Sequence, residues 1–368
     1  MKPLFLIKNA VLTSVVLLFF IKASAQENVY KHKLVVPNLR IPWGFTFLPD
    51  NSMLITEKEG KLIHFKNGIK TEISGLPKIK VLGQGGLMDI ELHPNYKNNG
   101  WIYFTYVSST KNRSRANTTL MRARIKNNRL INQEVLYKAT PDTRRGQHFG
   151  SRIVFDSKAY VYFSIGDRGE RDVNPQDITR DGGKIYRLHD DGRIPNDNPF
   201  VNDKDAKKAI YSYGHRNPQG MEMNPFTEEI WSHEHGPRGG DEINILKKGK
   251  NYGWPKASFG INYSGSKFTD KTAIKGMEDP IHHWTPSIAP SGMAFVSSNK
   301  YPTLKGKLLV GSLKFQYVTV CTLKETKVLS EEIILKNLGR VRSIEQGNDG
   351  YLYVGIERLG IVKILPKK

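Results

Sequence analysis

An all-β fold, a six-bladed β-propeller with four antiparallel strands per blade, is predicted by three observations. Six segments repeat one pattern of apolar strand, polar turn and aromatic-rich strand. Their first strands start about 45 to 70 residues apart, the spacing of propeller blades. Stretches with the helical hydrophobic period are nearly absent, while 33 glycines and 19 prolines supply turns.

The segments justify the blades in order. The first is WGFTFLPDNSMLITE from Trp43, and the second is GLMDIELHPNYKNNGWIYFTYV from Gly86. The third, GSRIVFDSKAYVYFSIGD, starts at Gly150, and the fourth, QGMEMNPFTEEIWSHEHG, at Gln219. The fifth is SGMAFVSSNKYPTLKGKLLVGSL from Ser291, and the sixth is VRSIEQGNDGYLYVGIE from Val341. Each opens on a short apolar or alternating run, crosses Asp, Asn, Pro or Gly, and ends in aromatic or β-branched residues. HKLVVP near the start and IVKILPKK at the end are expected to share a blade and close the ring. Loops from all blades would then converge on one mouth, where function is expected.

Residues 1–25 stand apart. Lys2 and Lys8 precede an apolar run from Ala10 to Ile21, and Ala23-Ser24-Ala25 fits a small-residue cleavage site. This predicts a signal peptide cleaved after Ala25, a periplasmic or secreted protein, and one domain over 26–368. The apolar run is too short to span a bilayer, and no later segment is long enough. The sole cysteine, Cys321, lies in the strand-like VTVCTL and is read as a buried strand residue. The net charge is +21, of which three lysines fall in residues 1–25. The cations are scattered rather than striped, so a solvated basic surface is preferred to nucleic-acid binding.

The loops carry the unusual chemistry. Gly83-Gln84-Gly85-Gly86 could bring backbone close to a ligand, or simply turn the chain. His148, between glycines before the third repeat, could be a general base or a structural histidine. Asp167 ends the same strand pair and could orient that imidazole. No G-x-S-x-G elbow and no phosphate-cradling glycine motif is present. Arg216, in YGHRNPQG, offers a planar fork for carboxylates or quinone oxygens. HEHGPRGGDEIN, residues 233–244, can supply oxygen ligands to calcium through Gly236, Pro237, Asp241 and Glu242, with Asn251 and Tyr252 beyond. His233 and His235 are read as facing opposite sides of a strand, against a shared zinc. Arg340 and Arg342, two apart on a strand, share a face. With Lys314 and Arg216 they would form a cluster of four cations, suited to a planar, carboxylated ligand.

Taken together, GQGGLMDIELHP, HFGSRIVFD, YSYGHRNPQGMEMNP, EHGPRGGDEIN, KGKNYGWP, APSGMAF and RVRS resemble, in order, motifs of the soluble quinoprotein aldose and glucose dehydrogenases. The resemblance covers nearly all of the chain after residue 25, and the aldose branch is the nearer. It implies a propeller that uses pyrroloquinoline quinone and calcium to oxidise the anomeric hydroxyl of aldose sugars to the lactone. His148 would be the base, Asp167 its partner, and Arg216 a contact to the quinone oxygens. Hydride would pass to the quinone's C5 carbonyl carbon. Gln84, Asn217, Ser287, Lys314, Arg340 and Arg342 match quinone-binding positions. Gly236 and Pro237 would give carbonyls to the cofactor calcium, and Glu242 and Tyr252 would serve a second, structural calcium. The sugar and the electron acceptor carry no readable code, and the chain is expected to act as a monomer or homodimer. Two rival readings are a calcium-dependent lactonase or esterase and a non-catalytic propeller that binds sugar or protein.

Overall fold

The computed structural model describes residues 30–109 and 114–366. The proposed leader, residues 1–25, lies outside the described residues.

Six four-stranded antiparallel sheets make up the described chain. The predicted strand pairs become the first two strands of each blade. They are β2 (Pro42–Phe47) with β3 (Met53–Glu57), β6 (Leu87–Leu92) with β7 (Ile102–Ser108), and β10 (Ile153–Phe155) with β11 (Val161–Ile165). The remaining three are β14 (Pro218–Met223) with β15 (Ile230–Glu234), β18 (Pro290–Phe295) with β19 (Leu308–Ser312), and β22 (Val341–Gln346) with β23 (Leu352–Ile356). In the last blade, β1 (Tyr30–Pro37) pairs with β24 (Gly360–Pro366), so the two ends of the fold zip one sheet together as expected. The only α-helix among the described residues is one turn, Tyr96–Asn99. Cys321 is buried in β20 (Val318–Lys324).

The first strands, β2, β6, β10, β14, β18 and β22, touch one another in sequence around the axis and close on β2. Apolar side chains between neighbouring blades form the core, for example Val310, Phe295 and Trp231 between the fourth and fifth. Close packing at the axis demands small residues. A Cβ on Gly44 would lie 2.5 Å from the Asp89 carboxylate, and one on Gly292 would lie 2.6 Å from the Ser343 backbone.

Arg152 ties the blades together beneath the mouth. Its guanidinium donates to Asp89 (2.8 Å), to the Gln219 carbonyl (2.9 Å) and to the Arg342 carbonyl (3.2 Å). It also lies over the Trp43 ring, 4.4 Å from the centroid. A charge this deep needs every donor met, and these partners supply it from the first, second, fourth and sixth blades.

The fifth residue of β6, β14 and β22 is Glu91, Glu222 and Glu345 respectively. The fifth residue of β2 and β18 is Thr46 and Ala294, and Val154 stands in register on β10. Carboxylates thus alternate with neutral side chains around the axis. Burial raises all three, and the like charges of the others push Glu91 and Glu345 further. Glu222 is raised to about 8.

Candidate active site

His148 sits in the loop before β10 with φ +54°, a left-handed conformation that non-glycine residues rarely adopt. Such strain costs about 1–3 kcal/mol and is held in place by surrounding bonds. The His148 N–H donates to Gln84 Oε1 at 2.8 Å. Below the loop, the buried Arg168 guanidinium donates to the carbonyls of Gln147 and Arg145 and covers the Phe149 ring.

The imidazole meets Asp167 as predicted, with Nδ1 2.6 Å from Oδ1. The Asp167 side chain is 1% exposed and that of His148 13%. Asp167 also accepts from the Gly169 N–H (2.7 Å) and from Trp254 Nε1 (2.9 Å). Burial works to raise the Asp167 carboxyl, but the bond and charge of His148, the Arg216 charge and the Gly169 N–H together hold it below the usual value. It therefore stays a carboxylate. Burial also dominates at His148 and lowers its pKa below 6.5 against the opposing pull of Asp167, with Arg216 adding to the fall. The carboxylate fixes a proton on Nδ1 and leaves Nε2 as the basic nitrogen.

The dyad lines a cavity of about 410 Å³ shared with Arg216, Pro237, Trp254 and the exposed Tyr263. Arg216 is fixed by its backbone N–H to the buried Glu234 and by Nη1 to the His235 carbonyl (3.0 Å). Its Nε is buried with no partner in the structure.

A second cavity of about 350 Å³ holds Gln84, Asn217, Arg340, Arg342 and Lys58, with the Trp43 and Phe149 rings. Arg340 and Arg342 do share a face, and both bind Glu357, Arg340 through Nε at 2.9 Å and Arg342 through Nε at 3.1 Å. Burial works to raise Glu357, but its two arginines hold it below the usual carboxylate range. Asn217 accepts from the Gly150 N–H at 3.1 Å and so braces the His148 loop.

The four-cation cluster forms only in part. Arg216 lines the first cavity and Arg340 and Arg342 the second, while exposed Lys314 lines neither and lies over Phe315. Ser287 also lines neither. Its hydroxyl is spent on Asp241 (2.7 and 2.6 Å to the two oxygens). Asp241 in turn accepts from the Gly236 N–H at 2.8 Å, so Ser287 lies behind the Gly-Pro turn.

The 233–244 loop divides, but not where the sequence reading placed the division: Gly236 parts from Pro237 and joins Glu242 and Tyr252. Pro237 faces the large cavity, whereas Gly236, Glu242 and Tyr252 line a void of about 10 Å³ with Glu234. Burial and the Glu234 charge push Glu242 well above the usual carboxylate range. The Tyr252 hydroxyl is spent, donating to the Ile245 carbonyl at 2.6 Å and accepting from the Lys247 N–H. Only its backbone carbonyl is left to offer. The two histidines correct the sequence reading: His233 Nε2 reaches the Gly292 carbonyl and His235 Nε2 the Pro290 carbonyl, both on β18. Residues two apart on an extended chain share a side, and each ring spends its Nε2 on a β18 carbonyl. No cluster of three or more His, Cys, Asp or Glu able to hold a metal occurs among the described residues.

Sequence reasoning missed Trp254, Trp43, Glu234 and Glu357. Trp254 had a faint signal, as the second aromatic of KNYGWP, two residues after Tyr252. The others look like ordinary strand residues until the blades are assembled.

Fold and site together define an enzyme-like propeller, with an imidazole–carboxylate dyad beside a cleft lined by two arginines, a lysine, Glu357 and two aromatic rings. The Glucose / Sorbosone dehydrogenase family matches residues 39–362. The aldose sugar dehydrogenase YliI of Escherichia coli is 43% identical over 321 residues, covering 85% of this chain and 86% of that protein. The crystal structure of the soluble aldose sugar dehydrogenase from Escherichia coli, in the apo-form, superposes with a TM-score of 0.87 at 39% identity, over 92% of this chain and 99% of that one. The PQQ-bound aldose sugar dehydrogenase from Streptomyces coelicolor has a TM-score of 0.76 at 26% identity, over 92% and 98%. The chain belongs to the glucose/sorbosone dehydrogenase family.

Proposed function

We propose that this protein oxidises the anomeric hydroxyl of aldose sugars to the lactone, with pyrroloquinoline quinone and calcium as its cofactors. One observation carries the reading: the His148–Asp167 dyad and Arg216 share a cavity wall, next to a cleft lined by two arginines, a lysine and two flat aromatic rings.

The residues fit both cofactors. Arg340, Arg342 and Lys58 suit carboxylates, Gln84 and Asn217 offer amides, and Trp43 and Phe149 offer planar walls. Glu242, crowded by Glu234 in a small void, suits a cation that would relieve the like-charge repulsion, with carbonyls of Gly236 and Tyr252 at hand. Pro237 would serve the cofactor calcium. When bound, the quinone with its calcium supplies the acceptor for the sugar's hydride.

The chain's own residues then do the following. His148 Nε2 takes the proton from the anomeric hydroxyl. Asp167 holds the imidazole in the right tautomer and stabilises the imidazolium that forms. Arg216, buried and rigidly held, sets positive charge where negative charge develops. Trp254 and Pro237 narrow the cavity around the sugar's reacting end. Export through residues 1–25, and a periplasmic or secreted place of action, belong to the same proposal. No helix among the described residues is long and apolar enough to cross a membrane.

Quinone binding, followed by its absorbance, is expected to need calcium and to weaken on chelation. Arg340→Met, at a half-exposed position, is expected to raise the Kd about tenfold by removing a charge-assisted contact. Binding that ignores both chelator and substitution would contradict the cofactor assignment.

A further inference from the structure

We infer that Trp254 is a positioning residue for the base, locking Asp167 against His148 and holding Arg216 at the same time. This rests on the dehydrogenase reading given above and deepens it.

Trp254 is buried, and its Nε1–H donates to Asp167 Oδ2 at 2.9 Å. The opposite oxygen, Oδ1, is shared by His148 and the Gly169 N–H. The indole therefore holds the one carboxylate oxygen that the dyad does not use, and so stops the carboxylate rotating about its Cβ–Cγ bond. The indole ring also lies 5.3 Å from the Arg216 guanidinium, which faces the same cavity. One side chain thus touches both the base's partner and the cation assigned to the developing charge.

Trp254 is itself held firmly. Its N–H donates to the Gly214 carbonyl at 2.9 Å and its carbonyl accepts from Gln176 at 2.8 Å. Gln176 also exchanges bonds with Asn251 (3.0 and 2.8 Å). Its ring meets Phe268 edge-on. The segment 251–254 is therefore a rigid arm that runs from beside the Glu242 void to the dyad.

Removing only the indole N–H leaves Asp167 with fewer donors, so its charge acts more strongly on the imidazole. The other charged or titratable groups around His148 stay in place: Arg216, Arg168 and His235, with Arg145, Glu170, Arg171 and Asp172 on the shared cavity wall. The imidazole is then expected to hold its proton to higher pH, while its aim becomes looser.

Trp254→Phe keeps an aromatic ring and deletes the donor. The expected result has two parts. Turnover falls about 10- to 100-fold, the scale of a misaimed group, with KM within about twofold. The His148 ring signals, followed by NMR in protein carrying neither quinone nor sugar, titrate at higher pH than in the parent. The second readout does not depend on turnover, so it separates failure of this inference from failure of the dehydrogenase reading. An unchanged His148 titration in a folded variant would overturn the inference, as would unchanged turnover. Should Trp254→Phe fail to fold, benzothienylalanine at position 254 replaces the N–H by sulfur at nearly the same shape. It is read by the same two outcomes.

Discussion

His148→Ala is expected to cut aldose turnover by about 10²–10⁴-fold, the usual contribution of a positioned general base, while quinone binding stays intact. The separation follows from geometry. His148 lines the sugar-sized cavity with Asp167, Arg216 and Trp254, while the arginine pair, Gln84 and Asn217 line the neighbouring cleft. The pH dependence follows as well. As the proposed base, His148 would work only when neutral, and burial lowers its pKa below 6.5. The kcat/KM of the parent should therefore hold at neutral pH and fall only as the pH drops below about 6.5, because imidazolium cannot accept a proton. The residual rate of His148→Ala should lack that limb. Steady-state kinetics over pH 4–9, with an absorbance titration of the quinone, checks both parts. Equal turnover in parent and variant would remove His148 from the chemistry.

Stability should respond to the carboxylates on the propeller axis. Glu91, Glu222 and Glu345 come from alternate blades; burial raises all three, and nearby carboxylates add to it, Asp89 for Glu222 and both Asp89 and the other axial glutamates for Glu91 and Glu345. A group whose pKa is higher in the folded than in the unfolded state favours folding below its unfolded value. That contribution is lost as pH rises through the folded value. For Glu222 the window runs from 4.5 to about 8. Each unit of such a shift is worth about 1.4 kcal/mol, so the axis costs on the order of a few kcal/mol at pH 8. The variant with Glu91→Gln, Glu222→Gln and Glu345→Gln keeps the shape without the charges. It should melt several degrees higher than the parent at pH 8 and close to it at pH 5. Thermal unfolding at both pH values tests this. Parallel melting curves with no pH-dependent gap would mean that these carboxylates ionise freely.

The propeller was legible because each blade leaves a local trace. The strand-turn-strand repeats depend on period-2 patterning and turn residues, which are written contiguously. Closure by HKLVVP and IVKILPKK was legible for the same reason: both read as strands left over at opposite ends. The dyad was reachable because His148 and Asp167 end the same strand pair, β10–β11. What stayed hidden needs neighbouring blades to meet. Glu357 reads as a strand end, yet it holds both arginines from across a β-hairpin. Trp254 reaches Asp167 from 87 positions away. The axial ring of Glu91, Glu222 and Glu345 appears only when the first strands of six blades are laid side by side. The two histidines of HEHG were misplaced by a slip in strand period, and the carbonyls of β18 that engage them could not be read from the chain.

Quinone- and calcium-dependent oxidation of aldoses is tested by dye reduction with the purified protein. Calcium and a panel of aldoses would be supplied with and without pyrroloquinoline quinone. Reduction is expected only when quinone, calcium and sugar are all present, with lactone as the product. Absence of reduction under every combination, with no quinone bound, would contradict it and favour a hydrolytic or purely binding propeller.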